Sequence, residues 1–102
     1  MDKVLSDLTP FLDREGRLTS FPARHKKKLA ALWYLAQKME AEREYTEPEI
    51  NTLLDAWTLF HDPATLRREL YNKRLLDRTA DGSRYRKAAV IPVLEEFVKK
   101  YV

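Results

Sequence analysis

The sequence predicts a mainly α-helical fold with one small β-hairpin, and three observations support this. Apolar residues recur at three- and four-residue spacing in five separate stretches, which is the pattern of amphipathic helices. Proline and capping residues stand at helix starts, and an Asp-Gly pair lies between two short strand-like runs. Since 102 residues suffice for one modest core, we expect a single domain over 1–102.

The first two predicted helices lie on either side of Gly16. A short amphipathic helix over 1–12 is indicated by the spacing of its large apolar residues, which are Leu5, Leu8, Phe11 and Leu12. After a turn and an extended connector, the strongest helical pattern runs from about Ala23 to Arg43. Its apolar stripe consists of Leu29, Leu32, Trp33, Ala36 and Met39.

A third helix is predicted to begin at Thr46, after a short extended link at Glu44 and Tyr45. Thr46 and Glu49 form a capping box, in which each side chain satisfies a backbone N–H that a helix start leaves without a partner. The helical spacing then continues through five apolar residues, which are Ile50, Leu53, Leu54, Trp57 and Phe60.

A fourth helix is predicted from about Pro63 to Arg74. Asp62 is a suitable N-cap, and the proline is a suitable first helical residue. Leu66 and Leu70 fall on one face and are expected to anchor the helix to the core, whereas Arg68 falls on the opposite face.

The last predicted elements are a hairpin over 75–87 and a C-terminal helix over 90–102. Asp81-Gly82 supplies the hairpin turn, and the alternating run RYRK gives the hairpin a basic second strand. The C-terminal helix is indicated by the spacing of Val90, Ile91, Leu94, Phe97, Val98 and Tyr101, with Pro92 in its first turn. The order helix, link, helix, tight turn, helix, hairpin is that of a winged helix-turn-helix with additional N- and C-terminal helices.

Positive charge is concentrated in the second part of the chain. Residues 1–60 hold nine Lys and Arg against ten Asp and Glu, whereas residues 61–102 hold ten against six. A smaller basic block, ARHKKK, covers 23–28 and is either a solvated helix start or a contact for an anionic partner. The asymmetry favours a nucleic-acid partner for the second part.

Composition argues against several other classes of protein. The chain has no cysteine, and the sequence shows no ligand cluster around His25 or His61, so we expect ordinary roles for both histidines. Because the glycine-rich loops and nucleophile motifs of common enzymes are missing from the sequence, we expect neither an enzyme nor a cofactor. The longest uncharged apolar run, 29–36, is far shorter than a membrane span of about 20 residues, and the N-terminus does not resemble a secretory signal. A cytoplasmic protein without membrane contact is therefore expected.

Two groups of side chains are predicted to contact double-stranded DNA. In a winged helix-turn-helix, the third helix enters the major groove and the hairpin touches the backbone or the minor groove. Arginine suits both tasks, because its planar fork can hold guanine or phosphate at two points. The predicted contacts are Thr65, Arg67, Arg68, Tyr71, Asn72 and Arg74 on the helix, and Arg84, Arg86 and Lys87 on the hairpin.

Two alternatives remain open at this level. Arg67 lies near the core edge, where it would instead pair with Asp55, Glu69 or a backbone carbonyl. The domain as a whole would instead be a winged-helix module that binds protein and not nucleic acid. Terminal helices that bury their apolar faces wholly within the monomer would weigh against this second alternative.

Residues 16–87 carry a set of short motifs in a distinctive order: Gly16-Arg17-Leu18, Phe21-Pro22, Tyr45-Thr46-Glu47, Leu66-Arg67-Arg68-Glu69-Leu70 and Asp81-Gly82-Ser83-Arg84-Tyr85. In this combination they resemble the bacterial family called domain of unknown function 2087, whose members look like winged-helix transcriptional regulators. The resemblance implies that fold and a role in transcription. The chain departs from the pattern at 71–74, where relatives usually have a glycine, so Asn72 is expected to adopt the left-handed conformation that ends the helix.

A homodimer is also expected. A DNA reader gains affinity from two half-sites about one helical turn apart, and closed two-fold symmetry is the commonest arrangement of soluble oligomers. The predicted terminal helices, 1–12 and 90–102, lie outside the family-like segment and are the candidates for this contact.

Overall fold

A computed structural model describes residues 7–101, and this range contains four α-helices and three β-strands. The helices are α1 (His25–Ala36), α2 (Glu47–Ala56), α3 (Pro63–Asn72) and α4 (Leu94–Tyr101). The strands are β1 (Glu44–Thr46), β2 (Leu76–Arg78) and β3 (Arg84–Lys87). Within residues 7–101, no helix is long and apolar enough to cross a membrane.

The three strands form one antiparallel sheet in the order β1-β3-β2. The predicted hairpin is confirmed as β2 and β3. The predicted extended link at Glu44 and Tyr45 proves to be a full strand, because β1 pairs with β3 and places Tyr45 directly opposite Tyr85. Both tyrosine rings are buried, so this face of the sheet belongs to the core. The hairpin is thereby hydrogen-bonded to the segment that joins α1 to α2.

Helix α1 forms the centre of the core. Six of its twelve residues are buried: Leu29, Ala30, Ala31, Leu32, Leu35 and Ala36. Helices α3 and α4 both pack against it, and α2 packs against α3. The apolar face of α4, formed by Leu94, Phe97 and Val98, is buried within the monomer.

Helix α1 is shorter than the predicted helix over 23–43. It ends at Ala36, after which the chain turns, and the backbone N–H of Glu40 donates to the Tyr45 hydroxyl at 2.9 Å. Glu42 has a φ of 64°, which a right-handed helix does not contain. Met39 is buried as predicted, but it reaches the core from this turn and not from a helix.

Helix α2 also ends earlier than predicted, at Ala56. The backbone beyond it pairs with Leu18: the Leu18 N–H donates to the Trp57 carbonyl at 2.8 Å, and the Leu59 N–H donates to the Leu18 carbonyl at 2.9 Å. These bonds replace the helical ones, so Trp57 and Phe60 pack beside the core from an irregular segment.

The two terminal helices differ from their predicted bounds as well. Helix α4 begins at Leu94 and not at 90, so Pro92 precedes the helix and does not lie in its first turn. At the other end, the chain is helical through Phe11, where a 3-10 turn ends, and Leu8 is buried. Residues 1–6 of the predicted N-terminal helix and residue 102 lie outside the described residues.

Candidate nucleic-acid interface

Helix α3 turns a polar face to solvent because two leucines hold its other face in the core. Leu66 and Leu70 are fully buried, as predicted. The Asp62 carboxylate accepts a hydrogen bond from the backbone N–H of Thr65 at 3.3 Å, which confirms the predicted cap. Arg68 lies on the outer face and is exposed.

Arg67 is turned towards α2, although it is adjacent to Arg68 in the chain. Its side chain is 19% exposed, and one guanidinium nitrogen lies 3.1 Å from Glu47 Oε1. Another guanidinium nitrogen donates a hydrogen bond to Asn51 Oδ1. Arg67 therefore has intramolecular partners in α2, and they are not the predicted Asp55 or Glu69.

Arg78 approaches α3 from the hairpin. Its guanidinium carbon lies 4.9 Å from the centroid of the Tyr71 ring, which is a cation–π distance. Arg78 is directly opposite Tyr85 in the sheet, so both side chains leave from the face that meets the helices. Arg78 is not among the predicted DNA contacts, although strand alternation relative to Tyr85 is a signal that points to it.

The space between α3 and the hairpin is a basic groove of about 180 Å³, called here the arginine groove. It is lined by Ala64, Arg67, Arg68, Tyr71, Arg78 and Tyr85. Acidic side chains do not contribute to this lining. The groove therefore combines three guanidinium groups with two aromatic side chains, a composition suited to anionic and planar groups.

The predicted hairpin contacts do not converge with this groove. Arg84 and Arg86 alternate with Tyr85 along β3 and leave from the outer face of the sheet. Arg86 stands between Glu44 on β1 and Asp77 on β2, so two acids offset its charge. Arg84 and Arg86 therefore lie on the face of the sheet opposite to the one that meets α3, away from the predicted contacts on that helix.

Asn72 and Arg74 lie at the end of α3 that is remote from Asp62. Together with Tyr71, Leu76 and Asp77 they line a second depression, which shares only Tyr71 with the arginine groove. Arg74 has a φ of 60°, whereas Asn72 is the last residue within the helix. The expectation that Asn72 takes the left-handed conformation is therefore wrong, and Arg74 takes it instead.

The tip of the hairpin is held by Asp81. Its carboxylate accepts hydrogen bonds from the Ser83 N–H at 3.0 Å, the Ser83 hydroxyl at 2.8 Å and the Thr79 hydroxyl at 2.7 Å. These bonds, the one from the Ser83 N–H first among them, lower the pKa of Asp81 to about 2. The carboxylate is therefore charged at neutral pH and accepts these three hydrogen bonds.

The basic block over 23–28 occupies the start of α1. Lys27 Nζ lies 5.6 Å from the centroid of the Phe11 ring, and Lys28 Nζ lies 5.5 Å from that of Phe21. These two lysines therefore also pack against the protein itself. The block contributes no residue to the lining of the arginine groove.

The two histidines make isolated contacts. His25 Nε2 lies 2.6 Å from the Tyr101 carbonyl oxygen, and His61 Nδ1 lies 3.7 Å from Asp55 Oδ1. Groups of three or more His, Cys, Asp and Glu side chains that are able to hold a metal ion do not occur within residues 7–101.

Comparison with known proteins identifies a family. Residues 17–87 match the family described as an uncharacterized protein conserved in bacteria (DUF2087). No curated protein matches the chain, and no solved structure matches it. The matched segment contains helices α1 to α3 and all three strands, so it includes every residue that lines the arginine groove.

Proposed function

The chain belongs to this bacterial family, DUF2087, and we propose that it is a DNA-binding transcriptional regulator in which α3 enters the major groove. The order of elements supports a winged helix-turn-helix: α1, β1, α2, a tight turn, α3, and then the hairpin of β2 and β3. In that fold, the N-terminal part of the third helix faces base edges, and the hairpin reaches the backbone.

The arginine groove is the observation that carries the proposal. Arg68 is exposed at the middle of α3 and has the reach to grip guanine or phosphate at two points. Arg78 stands beside it, held against Tyr71, in a position to contact a phosphate of the same duplex. Arg67, whose charge is partly met by Glu47, supports the local positive potential.

The position of each basic residue along the hairpin decides whether we assign it a contact with the DNA backbone. Arg78 and Arg84 flank the tip of the hairpin, next to Thr79 and Ser83. Arg86 and Lys87 lie at its base, and Lys87 pairs with Leu76, where the hairpin leaves α3. We therefore assign backbone contacts to Arg78 and Arg84 in preference to Arg86 and Lys87.

A protein-binding module is the less supported alternative. The apolar face of α4, formed by Leu94, Phe97 and Val98, is buried in the monomer, so this helix does not offer it to a partner. The arginine groove is basic and lacks an acidic lining residue, which suits a polyanion better than a typical protein surface.

Fluorescence anisotropy with labelled mixed-sequence duplexes tests the proposal. Binding is expected at low salt and should weaken steeply as salt rises, because each neutralised phosphate releases counterions. Arg68→Glu should abolish binding, whereas Arg14→Glu, which makes the same charge change at an exposed turn, should leave most of it. Absence of binding by the native chain at low salt, or equal loss in both variants, would refute the role of α3.

Arg78→Gln separates a backbone contact from a base contact. Affinity should fall by a similar factor for all duplex sequences, and the slope of log affinity against log salt should decrease by about 1. A change in sequence preference without a change in slope would instead make Arg78 a reader of bases.

A further inference from the structure

A second groove lies between α1 and the segment that precedes α4. Its volume is about 530 Å³, the largest of those described. The apolar part of its lining consists of Trp33, Ala41, Ala88, Ala89, Ile91, Pro92 and Val93. It is called here the Trp33 groove, and it shares no lining residue with the arginine groove.

Two valines make this region unusually apolar for a surface. Val90 is 86% exposed and Val93 is 66% exposed, more than the other large apolar side chains found exposed among residues 7–101, Leu59 and Tyr71. Single exposed apolar residues are ordinary, but Val93 lines the groove and Val90 lies three residues before it on the same short segment, and exposed apolar surface concentrated in one place is typical of an interaction site.

The segment that carries the valines is held in place. The Trp33 indole N–H donates a hydrogen bond to the Pro92 carbonyl oxygen at 3.0 Å. Pro92 restricts its own backbone, and Ile91 packs against the core. Because the segment is already ordered, a partner that docks here loses little free energy in ordering it.

Charge identifies the partner. The lining of the groove includes Glu42 on one connection and Arg86 and Lys87 at the end of β3. Among residues 7–101, the ion pairs within 4 Å include neither Glu42 nor Lys87, so these two opposite charges are available to another molecule. A two-fold axis between Glu42 and Lys87 would pair each of them with the opposite charge of the other copy, as a self-complementary patch requires.

We propose that the Trp33 groove is the dimer interface of this protein and that its occupant is a second copy of the chain. The same patch then serves both subunits, since it contains a protrusion, a recess and charges of both signs. The contact expected at 1–12 and 90–102 is thereby placed on the segment 90–93 and its surroundings, because the apolar face of α4 is already used within the monomer. The proposal does not depend on DNA binding, since the two grooves are separate.

Sedimentation velocity over a wide concentration series tests the interface. The native chain should form a dimer, and Val90→Ser with Val93→Ser should raise its dissociation constant at least about tenfold, because burial of a valine side chain contributes strongly to association. Leu59→Ser is the matched control, an exposed apolar residue outside the groove, and should leave the constant unchanged. Circular dichroism checks that each variant is folded.

A charge exchange tests whether the occupant is a second copy. Glu42→Lys and Lys87→Glu should each weaken the homodimer, because each sets like charges against one another across the axis. An equimolar mixture of the two variants should form a heterodimer that exceeds either homodimer in affinity. A native chain that stays monomeric would overturn the proposal. A dimer that is insensitive to the valine and charge variants would also overturn it, because its interface would then lie elsewhere.

Discussion

At the scale of single residues, the two adjacent arginines of α3 have opposite environments. Arg67 is 19% exposed and pairs with Glu47 and Asn51, whereas Arg68 is exposed. Their difference follows from helix geometry, since consecutive residues leave a helix about 100° apart. One arginine therefore joins α3 to α2, and the other is free to contact a partner.

Alanine at each position should separate these roles. Arg67→Ala should lower the free energy of unfolding by about 1–2 kcal/mol, because Glu47 and Asn51 lose a charged hydrogen-bond partner in a partly buried place. Arg68→Ala should change it by less than about 0.5 kcal/mol. Urea denaturation measures both values, and equal losses would contradict the division of roles.

Asp81 should make the hairpin tip sensitive to acid. Its pKa is about 2 in the folded protein against 3.8 for a free side chain, so its contribution to stability is present above about pH 4 and is lost as the pH falls towards 2. Asp81→Asn should therefore lower the melting temperature at neutral pH and have a much smaller effect near pH 2. Titration of the carboxyl group by NMR gives a direct check, and a pKa near 3.8 would disprove the network.

At the scale of elements, the sequence predicts which helices exist better than where they end. Apolar spacing identifies α1 and α2, but the spacing continues beyond both helices, because Met39 and Trp57 are also drawn to the core from turns. The bonds that end α2 involve Leu18, a residue distant in the sequence. Local periodicity contains no information about such a partner.

The start of α2 could be predicted more accurately because it depends on local chemistry. Thr46 Oγ1 accepts a hydrogen bond from the Glu49 N–H at 3.3 Å, and the Glu49 carboxylate accepts one from the Thr46 N–H at 2.8 Å. The latter bond is the main reason why the pKa of Glu49 is lowered. The capping box was thus predictable from two residues, as was the Asp62 cap of α3.

Loss of this box should destabilise the protein measurably. Thr46→Ala should lower the free energy of unfolding by about 1 kcal/mol, because the Glu49 N–H loses its acceptor. Thr52→Ala in the same helix should cost less, since the exposed Thr52 is not a cap and alanine favours the helix. Thermal denaturation of both variants tests this, and a larger loss for Thr52→Ala would contradict it.

The α3 part of the candidate site could be predicted from the sequence because it depends on local spacing, whereas the hairpin part depends on contacts between distant residues. The polar face of α3 follows from the positions of Leu66 and Leu70, so Arg68 could be selected from the sequence alone. The choice of hairpin residues that contact DNA depends on which face of the sheet meets α3. The pairing of Tyr85 with Tyr45 across the sheet sets that face. That pairing favours Arg78 over Arg86, although both lie in the same basic stretch.

At the scale of the whole molecule, the C-terminal helix completes the core. Phe97 is 1% exposed, and its ring centroid lies 5.2 Å from that of Tyr101. The Tyr101 hydroxyl in turn donates to the Lys73 carbonyl at 3.0 Å, just beyond the end of α3. Helix α4 therefore links α1 to α3 and supports the helix proposed to read DNA.

Phe97→Ala should be among the most destabilising substitutions. Removal of a buried phenylalanine side chain costs about 3–5 kcal/mol, a large part of the roughly 5–15 kcal/mol that stabilises a small domain. Lys99→Ala, at an exposed position of the same helix, should have little effect. Urea denaturation compares them, and a small loss for Phe97→Ala would show that α4 is not part of the cooperative unit.

The order of strands in the sheet has a consequence for synthesis of the protein. The central strand, β3, is the last of the three to leave the ribosome, and β1 precedes it by the whole of α2, α3 and β2. Until β3 emerges, neither β1 nor β2 has its partner in the sheet, and Tyr45 lacks the ring that covers it. During synthesis, β1 therefore stays an unpaired edge until α2, α3 and β2 have been made, and such an edge is open to pairing with other chains.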